Sequence, residues 1–237
     1  MRDAILAQIQ DGHSEIDMLH WTGRAALELV GQGGLGYSFG SLASEMQDDY
    51  GDALKALTPS LVSVDLLERL VPWVCGIGPA WLRRLAIDVF PNAGLRRLKS
   101  VVDCMTRRSV EIYESKKEAL NKGDKDVVQQ IGEGKDIMSV LMKANQVASD
   151  GDRMTEEELI GQMSTLIFAA SDTTSNALVH ILQTLAEHQD WQKKLRAELL
   201  GAGAGNQISY EQLNRLPLLD AICRETLRLY APQFSSG

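Results

Sequence analysis

Residues Thr155 to Leu185 read TEEELIGQMSTLIFAASDTTSNALVHILQTL, and this stretch decides the fold. Thr155-Glu156-Glu157-Glu158 is a capping box: the Thr hydroxyl and the Glu158 carboxylate each satisfy a backbone N–H that the first helical turn leaves free. Apolar residues then recur at Leu159, Ile160, Met163, Leu166, Ile167, Ala170, Ala177, Leu178, Ile181, Leu182 and Leu185. That is helical spacing sustained over a rod of about 45 Å, long enough to traverse a whole domain. Its centre is odd. Ser171 to Asn176 is a run of six polar residues between Leu166-Ile167-Phe168 and Leu178-Val179. Buried polar groups are expensive unless they are satisfied or used. Two readings follow from the spacing: a polar joint at which Ser171 or Asp172 caps a second helix, or one helix whose middle meets a flat ligand. In the second reading Ala169 and Ala170 let the ligand approach the backbone, and Asp172 and Thr173 hold water and relay protons beside it.

Outward from this stretch the chain continues to read as helices. Trp191, Leu195 and Leu199 mark a shorter helix closed by the glycine-rich run Gly201 to Gly205, and Pro217 opens a last helix reaching about Tyr230, with Pro232 beyond it. Upstream, the pattern predicts helices over Asp17 to Gln32, Pro59 to Leu70 and Ala93 to Lys122. The first of these is stopped by Gly31-Gln32-Gly33-Gly34. Asn121 to Asp126 and Ser149 to Arg153 read as polar turns. The expected class is all-α.

Composition narrows the function. The chain has 237 residues, 44% hydrophobic and 24% charged, with 24 Lys plus Arg against 32 Asp plus Glu and a net charge of −8. That balance suits a domain with a real core and offers no electrostatic footprint for nucleic acid. Cys75, Cys104 and Cys223 are too scattered for a disulfide framework or a zinc site, and His13, His20, His180 and His188 form no triad pattern with Ser and Asp. The N-terminus lacks the apolar core of a signal peptide. The uncharged stretch Leu70 to Leu82 is shorter than the roughly 20 residues of a membrane-spanning helix, and suits an internal cleft or a lipid surface.

Glu225 and Arg228 stand three apart on the last helix and share a face, a spacing too common to mean anything alone. The conjunction is more specific. Ala169-Ala170-Ser171-Asp172-Thr173-Thr174 in mid-helix, a shorter helix, and then Pro217 to Pro232 in the pattern Pro-x-Leu-x-Ala-x-x-x-Glu-Thr-Leu-Arg-Leu-Tyr-Ala-Pro resemble the cytochrome P-450 family of haem-thiolate monooxygenases. Trp21 to Leu29 and Gly36-Tyr37-Ser38-Phe39 are similar to fungal membrane-bound members.

The resemblance implies the mainly helical part of that fold, with its small β-sheets largely missing, and residues 1–237 as a single partial domain. It implies insertion of one oxygen atom of dioxygen into an apolar small-molecule substrate, haem b as cofactor and an NADPH-dependent reductase as partner. The implied location is the cytosolic face of the endoplasmic reticulum membrane, although this chain carries no anchor. Asp172 and Thr173 match the acid–alcohol pair that delivers protons to bound dioxygen. Ala169 and Ala170 match the distal haem groove, with Ala170 where the family usually has glycine. Phe168 and Thr174 fall on the substrate-pocket wall, and Glu225 and Arg228 match a structural ion pair that a third residue normally completes. Leu70 to Leu82 falls where the family has a mobile cover, with Arg83-Arg84 and Arg96-Arg97 as a basic rim. None of the three cysteines is followed by the Cys-x-Gly of the axial-ligand loop. The resemblance therefore spans about the middle half of a family member, and the residues as written are expected neither to bind haem through thiolate nor to turn over. A rival of another class uses the same helices as a non-catalytic module that binds a partner.

Overall fold

The computed structural model describes residues 1–40, 42, 49–64, 71–74, 76, 78–122, 134–203 and 208–230. In chain order its helices are α1 (Arg2–Gln10), α2 (Met18–Val30), α3 (Asp49–Val62), α4 (Val71–Val74), α5 (Ala80–Val89), α6 (Ala93–Lys122), α7 (Ile137–Val147), α8 (Glu156–Glu187), α9 (Gln189–Gly201), α10 (Tyr210–Leu213) and α11 (Pro217–Leu229). Among the described residues there is no strand, as expected for an all-α chain. None of their helices is long and apolar enough to cross a membrane.

The capping box forms as its spacing requires. The Thr155 N–H donates to Glu158 Oε2 at 2.7 Å, and the Glu158 N–H donates to Thr155 Oγ1 at 3.3 Å. From there α8 runs unbroken for 32 residues, so the polar centre is not a joint between two helices. On either side of that centre, hydroxyls turn back onto the helix's own backbone. Ser164, Thr165 and Thr184 each donate to the carbonyl four residues back, at 3.2, 2.9 and 2.8 Å.

The chain divides into two compact units, Leu27–Ala170 and Met1–Ala26 with Ser171–Gly237. In the first, α3 packs along α6. Its core joins Tyr50 and Ala53 of α3, Val101, Met105 and Ile112 of α6, Met138 and Met142 of α7, and Leu159, Met163 and Ile167 of α8. Full burial of such side chains contributes about 1.5–3 kcal/mol each. In the second unit, α9 packs against α11. Glu198 of α9 accepts the backbone N–H groups of Leu218 and Leu219 at 2.9 and 3.0 Å, placing a carboxylate on the positive end of α11 just behind Pro217.

Two helix limits differ from the sequence pattern. Pro59 does not open a helix; it lies inside α3, which starts at Asp49. Asp49 and Asp52 suit the positive first turn, and burial of Tyr50 and Ala53 holds the segment before the proline helical. The glycine run after α2 does not stop the helix at once. Gly31–Leu35 forms a π-helical turn, and the chain leaves it at Gly36 with φ +58°. Gly31 has no substitute, because a Cβ there would lie 2.6 Å from the Tyr37 carbonyl oxygen and 2.7 Å from the Phe39 ring. By contrast, Ala93–Lys122 and the turn at Ser149 to Arg153 fall where the pattern put them.

Part of the apolar stretch Leu70 to Leu82, including Leu70, Cys75 and Ile77, lies outside the described residues, as do residues 123–126, Gly205 and Pro232. Within it Trp73 is 80% exposed and Trp81 66%. The nearby basic side chains are engaged with the protein: Arg84 pairs with Asp103, and Arg83 donates to the Gly78 carbonyl at 2.7 Å.

A buried ion pair ties α6 to the start of α7. Lys116 Nζ lies 3.1 Å from Asp136 Oδ2 and 3.0 Å from Ser139 Oγ, with the Lys116 and Asp136 side chains 3% and 0% exposed. Asp136 caps α7 by accepting the Ser139 N–H at 2.9 Å and also accepts the Ser139 hydroxyl at 2.7 Å. Burial pulls the Lys116 ammonium below its usual range, against the opposing attraction of Asp136. Removing one partner of such a pair strands a buried charge. Lys116→Met is expected to cost about 3–5 kcal/mol in urea unfolding, and Lys116→Met with Asp136→Asn to recover most of that loss.

Candidate functional site

The centre of α8 sorts its residues by face. Ala169 is exposed; Phe168, Ala170, Asp172, Thr173 and Thr174 are half-buried; Ser171 and Ser175 are buried. Residues three and four apart are neighbours on a helix, so Ala169, Asp172 and Thr173 share one face, while Ser171 and Ser175 share another. The first face presents an acid, an alcohol and a methyl group with no bulky side chain among them. Phe168 packs against the core of its own unit.

Asp172 is the acid on that face. Its carboxyl is pushed above the usual carboxylate range, and desolvation by burial is the cause. A carboxyl raised by burial retains its proton further towards neutral pH, the condition for a general acid.

Glu225 and Arg228 bond each other in a bidentate fork, Arg228 Nε to Glu225 Oε2 at 2.8 Å and Nη2 to Oε1 at 2.7 Å. The bond to Arg228 holds the Glu225 carboxyl below its usual range. Their side chains are 58% and 67% exposed, so this is a surface pair and not a buried charge without a complete network. It therefore carries the small stabilisation of exposed ion pairs. Between them Thr226 is 2% exposed, anchoring α11 by its opposite face. The Tyr230 ring at the end of α11 stacks on His180 of α8, with centroids 4.5 Å apart and planes 3° from parallel.

The family model described as Cytochrome P450 matches residues 3–235. The chain belongs to the cytochrome P450 family. It is 56% identical over 236 residues to cytochrome P450 monooxygenase 219 of Postia placenta, covering 98% of this chain and 43% of that protein. It is 46% identical over 238 residues to a ganoderic acid synthetase of Ganoderma lucidum, covering 98% of this chain and 44% of that one. The chain thus spans rather less than half the length of these curated relatives. A crystal structure of a cytochrome P450 shares the fold at a TM-score of 0.63 and 21% identity, over 96% of this chain and 46% of that one.

Cytochrome P450 proteins use haem iron, and the described residues fit one side of that group better than the other. Ala169 and Ala170 leave the backbone of α8 open to a flat macrocycle, with Asp172 and Thr173 beside it. The thiol side does not fit. Burial and the Asp220 carboxylate push the Cys223 thiol up, away from the thiolate a P450 requires. Cys104 points its thiol at the Asp49 carbonyl, 3.7 Å away. Cys75 lies outside the described residues.

The sequence pattern singled out Asp172 and Thr173 but not the roles of Ser171, Ser175 and Thr22. Thr22 Oγ1 of α2 lies 3.4 Å from Ser175 Oγ, and all three residues are buried. The available signal was the spacing of two serines one turn apart within the polar run of α8.

The raised carboxyl makes a stability prediction with a definite sign. Its proton affinity is higher in the folded chain, so above the folded pKa the desolvated carboxylate opposes folding. Below the usual carboxylate range both states are protonated and the penalty disappears. Asp172→Asn is therefore expected to melt above the parent at neutral pH, with the difference closing as pH falls through the carboxylate range. Thermal scans between neutral and acid pH check it.

Proposed function

We propose that this chain forms the distal wall of a monooxygenase that inserts one oxygen atom of dioxygen into an apolar organic substrate, as one partial domain of the P450 fold. The observation that carries the reading is the half-buried Asp172, its carboxyl raised by desolvation, beside Thr173 and the two alanines of α8. A bound haem would supply dioxygen activation, with Ala169, Ala170, Asp172 and Thr173 as the residues that would lie against it. The overall balance takes two electrons and two protons and yields the hydroxylated product and one water. Electrons come from an NADPH-dependent reductase, and the setting is the cytosolic face of the endoplasmic reticulum membrane.

The residues of this chain manage the protons and the fit. Asp172 holds a proton at its carboxyl and releases it towards the Thr173 hydroxyl, which orients it into the distal groove. Ala169 and Ala170 keep that groove open, the Ala170 methyl narrowing it relative to glycine. Phe168 and Thr174 flank the substrate. Glu225 and Arg228 form a surface pair on α11, acting on structure and not on substrate.

The activity is tested in a chain of the relatives' length that carries these residues. Asp172→Asn and Thr173→Val are each expected to lower product formed per dioxygen consumed by about 10²-fold, the lower end of what a positioned proton donor contributes, with substrate affinity unchanged. Unchanged yield in both variants overturns the reading. The 237 residues alone, reconstituted with haem, reduced and exposed to carbon monoxide, are expected to show no thiolate-type band, because no cysteine among them has the Cys-x-Gly context. A thiolate band would overturn that expectation.

A further inference from the structure

The hydroxyls of α8 are satisfied unequally. Ser164, Thr165 and Thr184 donate to the carbonyl one turn back. Ser171 does not. It is 6% exposed, and its Oγ has no hydrogen-bond partner among the described residues. One turn further along the same face, Ser175 is 7% exposed and meets Thr22 Oγ1 at 3.4 Å. Thr22 already donates to the Met18 carbonyl at 2.9 Å, so within this pair Ser175 donates and Thr22 accepts. Ser175 is left with open lone pairs, and Ser171 with an unused hydroxyl, about 5–6 Å apart at Cβ as any i, i+4 pair is.

A buried hydroxyl without a partner costs about 1–3 kcal/mol. Folded proteins meet that cost with internal water, which needs two to four polar neighbours. A separation of one helical turn between two side-chain oxygens suits a single bridging molecule. Asp172 completes the set, because it precedes Ser175 by three residues and flanks the same turn.

We propose that Ser171 and Ser175 hold an internal water molecule on α8, and that this water positions the Asp172 side chain. The water accepts from the Ser171 hydroxyl, donates one hydrogen to Ser175 Oγ and donates the other to a carboxyl oxygen of Asp172. No bond is made or broken. Ser171 acts as a positioning residue, reaching the proton carrier only through the water, and this role rests on the reading of Asp172 given above.

A high-resolution crystal structure of the protein tests the site directly. An ordered water within hydrogen-bonding distance of both Ser171 Oγ and Ser175 Oγ is expected, lost in Ser171→Ala and kept in Ser171→Thr. A Ser171 hydroxyl bonded to the Ile167 carbonyl, with no water beside it, overturns the proposal. Its role is tested in haem-loaded enzyme of the relatives' length. Ser171→Ala is expected to lower product per dioxygen on the order of tenfold, less than loss of the proton carrier itself, and to change the solvent isotope effect at unchanged substrate affinity. Ser171→Thr restores both. If Asp172→Asn uncouples the enzyme while Ser171→Ala leaves coupling and isotope effect unchanged, the role of the water falls and proton delivery by Asp172 stands. If Asp172→Asn itself leaves coupling unchanged, that reading falls and the positioning role with it, whatever the crystal shows at Ser171.

Discussion

A helix can carry six consecutive polar residues through its middle only if their side chains stop competing for its backbone. Much of this structure depends on how α8 meets that constraint. Its ends are set by strong local devices, the capping box at Thr155 and an apolar face buried at Leu159, Met163 and Ile167. Between them, Ser164 and Thr165 turn their hydroxyls back onto the i−4 carbonyls and the helix still runs unbroken. Helical spacing then puts Ala169, Asp172 and Thr173 on one face. A joint at Ser171 would have broken the relation between the alanines and the acid, since their shared face exists only while the 3.6-residue period continues through them.

Desolvation without a counter-charge distinguishes the half-buried Asp172 from the fully buried Asp136. Asp136 is withdrawn from water completely, yet it accepts from Lys116, the Ser139 N–H and the Ser139 hydroxyl. Such a carboxylate is structural, and its value lies in joining two helices. Asp172 is only partly withdrawn, and burial is what raises its proton affinity. The fold thus gives one acid donors that fix it, while desolvation raises the proton affinity of the other.

The features legible in the sequence were those fixed within a few residues. Thr155 with Glu158, Pro217 at a first helical turn, and the apolar period from Ala93 to Lys122 each act locally, and each formed. The illegible ones depend on distant partners. Pro59 reads as a helix start because proline suits that position, but burial of Tyr50 and Ala53 carries the helix through it. Gly31 reads as a helix stop because glycine tolerates the left-handed region, whereas its role is to admit the Tyr37 carbonyl and the Phe39 ring. At the site, the acid and the alcohol could be named from their order in the chain. The meeting of Ser175 with Thr22 could not, because it joins residues 153 positions apart in the chain.

The same distinction bears on what holds α11. Glu225 and Arg228 form its most recognisable motif, yet both are mostly in water, where an ion pair contributes little even with two good hydrogen bonds. Glu198 belongs to no motif. It nonetheless places both carboxylate oxygens on consecutive backbone N–H groups at the α11 N-terminus, where the helix dipole adds to charge-assisted bonds. Those N–H groups have no partner inside the helix, so losing Glu198 leaves them to compete for solvent at the packed α9–α11 contact. Within this unit, then, the position of α11 rests on Glu198 and on the buried Thr226, while the Glu-x-x-Arg fork tightens a surface that is already placed.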